Sequence, residues 1–200
     1  MSRTRLLVFS YAASSLATVA LAGAGLAADL APTPQIIPIV PHVSQSFVSE
    51  LRAGAFAHDP FSPEAGGVAD FNGEMLFAKL PIDADARWAF LVPRPHLGGT
   101  ANFTGKTSHI YAGFTWDYDI TSAIFLEASF GGSLNNGSTG LRPDHNALGC
   151  NGLFRESGSL GYRLDSHWSV MASIEHTSNA GLCNYNRGLT NFGGRVGYTF

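Results

Sequence analysis

Residues 167–177 read HWSVMASIEHT, and their side chains sort by parity. Trp168, Val170, Ala172 and Ile174 fall on one side of an extended chain, with His167, Ser169, Ser173 and Glu175 on the other. Period-2 alternation of this kind marks a β-strand with one oily and one wet face.

The same pattern recurs outward from this stretch. Ile120, Ile124, Leu126, Ala128 and Phe130 oppose Thr121, Glu127 and Ser129; Ile110, Ala112, Phe114, Trp116 and Tyr118 oppose His109, Thr115 and Asp117. Stretches rich in Gly, Asn, Pro and Asp separate such runs, which predicts strands at 49–57, 68–79, 87–98, 107–118, 120–131, 152–164, 167–177 and 191–200. A soluble sandwich would alternate in the same way, because each of its sheets also has one apolar face.

Three features favour a membrane barrel. The runs are longer than ordinary strands and match a tilted bilayer crossing. Trp88, Trp116, Tyr118, Tyr162, Trp168 and Tyr198 lie within or near the run ends on the apolar parity, as an interfacial aromatic girdle would. The chain stops on Phe200, in an alternating set with Phe192, Val196 and Tyr198, so the last strand ends flush and suits closure without an open edge. A C-terminal aromatic also resembles the ending of bacterial outer-membrane barrels, which implies the barrel assembly machinery as a partner. The expected fold is all-β: an eight-stranded antiparallel outer-membrane barrel. Arg52, Glu74, Asp117, Glu127 and Arg195 would point into a lumen packed with side chains, where burial demands partners for each charge.

Composition agrees. Of 200 residues, 45% are hydrophobic and only 14% charged, about half the usual charged share of a soluble domain. A formal net charge of -3 gives no footprint for nucleic acid. Arg3 and Arg5 precede a mostly apolar stretch from Leu6 to Leu26, with Gly25 and Ala27 as small residues for a peptidase, so residues 1–27 read as a cleaved signal peptide. Pro32, Pro34, Pro38 and Pro41 make 28–48 an extended periplasmic lead-in, which leaves 49–200 as the barrel domain.

With the N-terminus on the periplasmic side, connections 1–2, 3–4, 5–6 and 7–8 face outward. Cys150 and Cys183 then fall at the same end, and an exported chain permits a disulfide between them, two separate thiols being the alternative. The histidines show no standard zinc spacing, and neither a P-loop nor a dinucleotide-binding glycine pattern is present, so neither metal nor organic cofactor is expected.

The chemistry concentrates in Glu175-His176-Thr177-Ser178-Asn179-Ala180-Gly181. His176 and Ser178 continue the lipid-facing parity of Trp168 to Ile174. A histidine and a serine make poor packing against hydrocarbon, but suit a lipid ester as substrate: the imidazole takes the hydroxyl proton and the oxygen attacks the carbonyl.

The whole C-terminal run, HTSNAGLCNYNRGLTNFGGRVGYTF, resembles the end of the lipid A deacylase family PagL, with its His-x-Ser-Asn segment, Asn-x-Gly turn and final strand. The resemblance implies an outer-membrane enzyme that hydrolyses the ester-linked acyl chain at the 3 position of lipid A from a site on the outside of the barrel. It implies that His176 is the general base and Ser178 the nucleophile, with Asn179 and the backbone around Gly181 stabilising the oxyanion. Asn186 and Gly188 match the turn into the last strand. Lipid A of lipopolysaccharide and outer-membrane lipids are then the partners, and exposed aromatics offer a surface for self-association.

The family pattern expects an acidic residue about fourteen positions after the histidine, where this chain has Thr190. Threonine accepts a hydrogen bond but carries no negative charge to stabilise an imidazolium. Glu156 is the candidate replacement acid, because it shares the outward parity of Phe154, Leu160, Tyr162 and Leu164 on the neighbouring strand. Glu175 points to the lumen. The alternative function is a catalytically weak or inactive lipid-binding barrel of the same family.

Overall fold

Eight antiparallel strands close on themselves in sequence order in the computed structural model, which describes residues 46–65 and 69–200. The expected signal peptide and all but the end of the Pro-rich lead-in lie outside the described residues. The strands are β1 (Val48–Ala57), β2 (Asp70–Phe77), β3 (Arg94–Ala101), β4 (His109–Asp119), β5 (Ile124–Asn135), β6 (Gly152–Arg163), β7 (Trp168–Ser178) and β8 (Leu189–Thr199). β1 pairs with β8 from Glu50↔Thr199 to Ala57↔Phe192, so the sheet has no free edge.

Burial follows parity. Trp168, Val170 and Ile174 are exposed on the outside, whereas Ser169, Met171, Ser173 and Glu175 are buried inside. The lumen holds a packed ionic network. Arg52 donates to Glu50 (2.7 Å), Glu74 (3.1 Å) and Glu127 (2.8 Å), and Arg155 donates to Glu175 (2.9 Å) while lying 3.6 Å from the centre of the Tyr111 ring. A charge excluded from water is tolerated only when neighbours satisfy it, and this lumen supplies carboxylate for guanidinium.

Two strands depart from expectation. The third begins at Arg94 instead of residue 87, and the apolar run Trp88–Val92 forms a 3-10 turn over Ala89–Leu91 on the outside of β4. Apolar character there comes from packing on Trp116 and Tyr118, whose rings and backbone partners it meets. β3 then continues through Gly98, where a side chain would collide with the Tyr111 ring. The fifth strand spans Ile124–Asn135 instead of 120–131, because Gly131 and Gly132 are accommodated in the ladder: at Gly131 the carbonyl of Ala112 leaves no room for a Cβ.

One end of the barrel has short turns at 120–123 and 164–167; the other carries the connections 58–69, 102–108, 136–151 and 179–188. Short turns face the periplasm and long loops face outward in barrels of this type. Cys150 and Cys183 form a disulfide between the last two outer loops.

Candidate active site at the outer end of β7

β7 carries His176 and its final residue Ser178 outward, both half-buried, at the loop end of the barrel. The register places Glu156 of β6 directly opposite His176 on one side and Thr190 of β8 directly opposite on the other. Glu156, His176 and Thr190 therefore form one row across three strands. His176 Nδ1 and Thr190 Oγ1 share a hydrogen bond of 2.7 Å. Glu156 is exposed on the outer face, as its parity predicts.

Beneath the imidazole lies Gly188, whose φ of 73° is in the left-handed region. A Cβ at that position would sit 2.8 Å from His176 Cε1 and 3.0 Å from the Thr177 carbonyl oxygen. Glycine here serves two needs at once: the backbone conformation and the space under the ring. The Gly188 carbonyl accepts a hydrogen bond from Asn146 Nδ2 at 3.0 Å, which ties the turn to the buried interior of the outer loops.

Asn179 is 2% exposed and organises the loop after β7. Its Nδ2 donates to the carbonyls of Leu148 (2.7 Å) and Tyr185 (2.6 Å), and its Oδ1 accepts from the backbone N–H of Gly181 (2.9 Å). Both amide hydrogens of Asn179 and the Gly181 N–H are thus taken up by the loops, so the geometry gives this side chain a capping role. Asn186 is differently placed. Its Oδ1 accepts from the backbone N–H of Asn179, the residue after Ser178, at 2.8 Å, and its Nδ2 has no partner among the described residues. Sequence reading saw only a turn residue there; the hydrogen bond back to residue 179 is not visible in a pattern.

The outer loops are locked by a second buried cluster that sequence reading missed. His58 bonds through Nδ1 to Asp70 (2.6 Å) and through Nε2 to Glu64 (2.8 Å). Glu64 also accepts from Thr107 Oγ1 (3.0 Å) and the Asn146 N–H (2.9 Å), which joins three outer loops. Burial alone would lower the pKa of His58, but hydrogen bonds and charge from Asp70 and Glu64 prevail and raise it to about 9. Burial would raise that of Glu64; bonds from His58, Asn146 and Thr107 hold it at about 2 instead.

Two apolar furrows cross the outer face below the loops. The upper, of about 560 Å³, follows the row of Ser178 through Phe154, Gly132 and Ala112 to Leu97, beside the disulfide. The lower, of about 870 Å³, follows the row of Ile174 through Gly158 and Ala128 to Trp116. Glu156, Phe130 and Phe114 form the ridge between them. Among the described residues no cluster of side chains is arranged to hold a metal ion.

The sequence model of the family described as lipid A 3-O-deacylase (PagL) matches residues 76–199. Comparison with curated proteins gives no match. Among solved structures, that of the outer membrane enzyme PagL is similar with a TM-score of 0.55 at 16% identity, over 76% of this chain and 100% of that one. A de novo designed transmembrane β-barrel gives 0.49 at 11% identity, over 80% of this chain and 100% of that one. The N-terminal barrel domain of Pseudomonas aeruginosa OprF gives 0.47 at 11% identity, over 78% and 98%.

Proposed function

The chain belongs to the lipid A 3-O-deacylase (PagL) family of outer-membrane barrels, and from that premise we propose that it hydrolyses the 3-linked acyl ester of lipid A by serine catalysis. Ser178 Oγ attacks the ester carbonyl as His176 takes its proton. The tetrahedral intermediate collapses to an acyl-serine, and the sugar oxygen leaves with the proton from the imidazolium. Water, deprotonated by the same imidazole, then releases a free hydroxy fatty acid and restores Ser178.

The observation that carries this reading is the bond between His176 Nδ1 and Thr190 Oγ1, on the same outward face of the barrel as Ser178. With Nδ1–H donated to Thr190, the Nε2 lone pair is the one left to act as base. Thr190 fixes the tautomer and ring orientation without supplying charge. Glu156, opposite His176 in the β6–β7 register, is the carboxylate we assign to the other side of the ring. Asn186 Nδ2 is the donor offered to the oxyanion, because its partner oxygen already holds it against the residue after the nucleophile. Residues 1–27 serve as the export signal and are removed.

Thr190 in place of a carboxylate supports a second reading, a barrel that binds lipid A with little turnover. Incubating the folded barrel with lipid A and weighing the product separates the two. Loss of one hydroxyacyl chain, abolished in Ser178→Ala, is the outcome for a hydrolase; unchanged lipid A mass with retained binding is the outcome for the second reading.

A further inference from the structure

The connection from β2 to β3, residues 78–93, is long for the periplasmic end, where barrels of this type have short turns. It does not hang free. Leu80 N–H donates to the Pro93 carbonyl (3.1 Å), which closes the base, and the 3-10 turn Ala89–Leu91 lies against the lipid-facing side of β4. Trp116 Nε1 donates to the Leu91 carbonyl (3.0 Å), and the Phe90 ring meets Tyr118 edge-on at 5.5 Å. The segment is a strap pinned to the barrel exterior, and Phe90 and Leu91 line one end of the lower furrow.

The other end of that furrow is walled by Ile174 and Phe192, two residues before His176 and two after Thr190. Its floor is made by Gly158 and Ala128, small residues between larger neighbours. The strand positions show its direction. Ile174 and Phe192 lie four and three residues from the outer ends of β7 and β8, whereas Trp116 lies seven from the outer end of β4. The furrow therefore descends from the catalytic row into the hydrocarbon and stops at the strap. From Ile174 to Trp116 it crosses three inter-strand spacings, about 14 Å, and Ser178 lies four residues, about 13 Å, further along β7, so the straight path from Ser178 to the strap is about 19 Å, the scale of a long acyl chain. The upper furrow is less suited to the scissile chain, because Phe154 stands directly opposite Ser178 and stacks on Phe130 at 6.1 Å.

We propose that the β2–β3 strap is a length stop, and that Phe90 and Leu91 meet the terminal methyl of the acyl chain whose ester lies at Ser178. The proposal rests on the hydrolase reading for its register and adds the residues that set chain length. Leu91 is 52% exposed, so its truncation removes little that holds the barrel together.

Two measurements test it. Lipid A preparations with 3-linked chains of graded length are given to wild type, Leu91→Ala and Ala128→Leu, with each barrel's fold checked by heat-modifiable migration. Leu91→Ala should raise long-chain over short-chain turnover about tenfold, and Ala128→Leu should shift it the opposite way, since one methylene in an apolar site is worth about 1–3 kcal/mol. Unchanged profiles in both variants overturn the proposal. Separately, a lipid A analogue with a photoreactive group at the end of its 3-linked chain is bound to Ser178→Ala and irradiated. Adducts on Phe90, Leu91 or Trp116 support the length stop even if wild type proves to have no turnover; adducts on Leu97, Ile110 or Leu134, or spread around the barrel, overturn it even if wild type is active.

Discussion

Thr190 on β8 reaches across the ladder to His176 on β7, and the 2.7 Å bond between Oγ1 and Nδ1 occupies the edge of the imidazole that a carboxylate would serve in a charged triad. The bond orients the imidazole and brings no charge to that edge.

Replacing Thr190 with Val should therefore lower kcat about tenfold, the worth of one net hydrogen bond of about 1.4 kcal/mol. Thr190→Glu should raise kcat by about the same factor, because a charge-assisted bond is roughly twice as strong as a neutral one. Steady-state rates on lipid A check both; a Val variant as active as wild type would remove Thr190 from the mechanism.

Glu156 lies opposite His176 in the β6–β7 register. Glu156→Gln keeps the shape and removes the charge, and kcat should drop about tenfold with KM little changed. In the Thr190→Glu background the same substitution should matter less, since one carboxylate then does the work of the other. Additive losses in the double variant would show that Glu156 acts elsewhere.

At Gly188, alanine would press on both the imidazole and the Thr177 carbonyl. The barrel should still fold, because the site is one turn at its rim. A ring displaced by a fraction of an ångström to 1 Å should cost about a hundredfold in kcat. Heat-modifiable migration together with activity separates this outcome from simple misfolding.

The His58–Glu64 pair predicts how the outer loops respond to pH. His58 is raised from 6.5 to about 9, so its stabilisation is complete below 6.5 and is lost as pH rises through 9. Glu64 is lowered from 4.5 to about 2, so its stabilisation is present above 4.5 and is lost as pH falls toward 2. Protection of the amides in 58–65, 102–108 and 136–151, measured relative to their intrinsic exchange rates, should be greatest between about pH 4.5 and 6.5 and fall on either side of that window. His58→Gln should abolish the alkaline limb; an unaltered limb would place the titration in another group.

Much of this was legible from parity. The outward faces of β4, β5 and β7, the inward aim of Glu175 and the outward aim of Glu156 follow from counting by two. Register does not, because nothing in a single strand states its partner, so the row Glu156–His176–Thr190 required the structure. Trp88–Val92 misled because an apolar run reads alike in a strand and in a strap that packs on the barrel exterior. The runs read from sequence stop at Gly98 and Gly131, although both strands continue past them, where glycine admits the Tyr111 ring and a close strand approach. The contacts of Asn179 and Asn186 are likewise invisible in sequence: the amide of Asn179 caps the turn, whereas Asn186 Oδ1 accepts from the backbone N–H of Asn179.

The central claim is that Ser178 is a nucleophile activated by His176. The most direct measurement is reaction of the folded barrel with a lipid-like fluorophosphonate, followed by mass spectrometry of its peptides. The account predicts one phosphonyl adduct, on Ser178, formed much more slowly in His176→Ala and blocked by prior addition of lipid A. Release of hydroxy fatty acid from lipid A without any adduct on Ser178, or with the adduct on another residue, would contradict it.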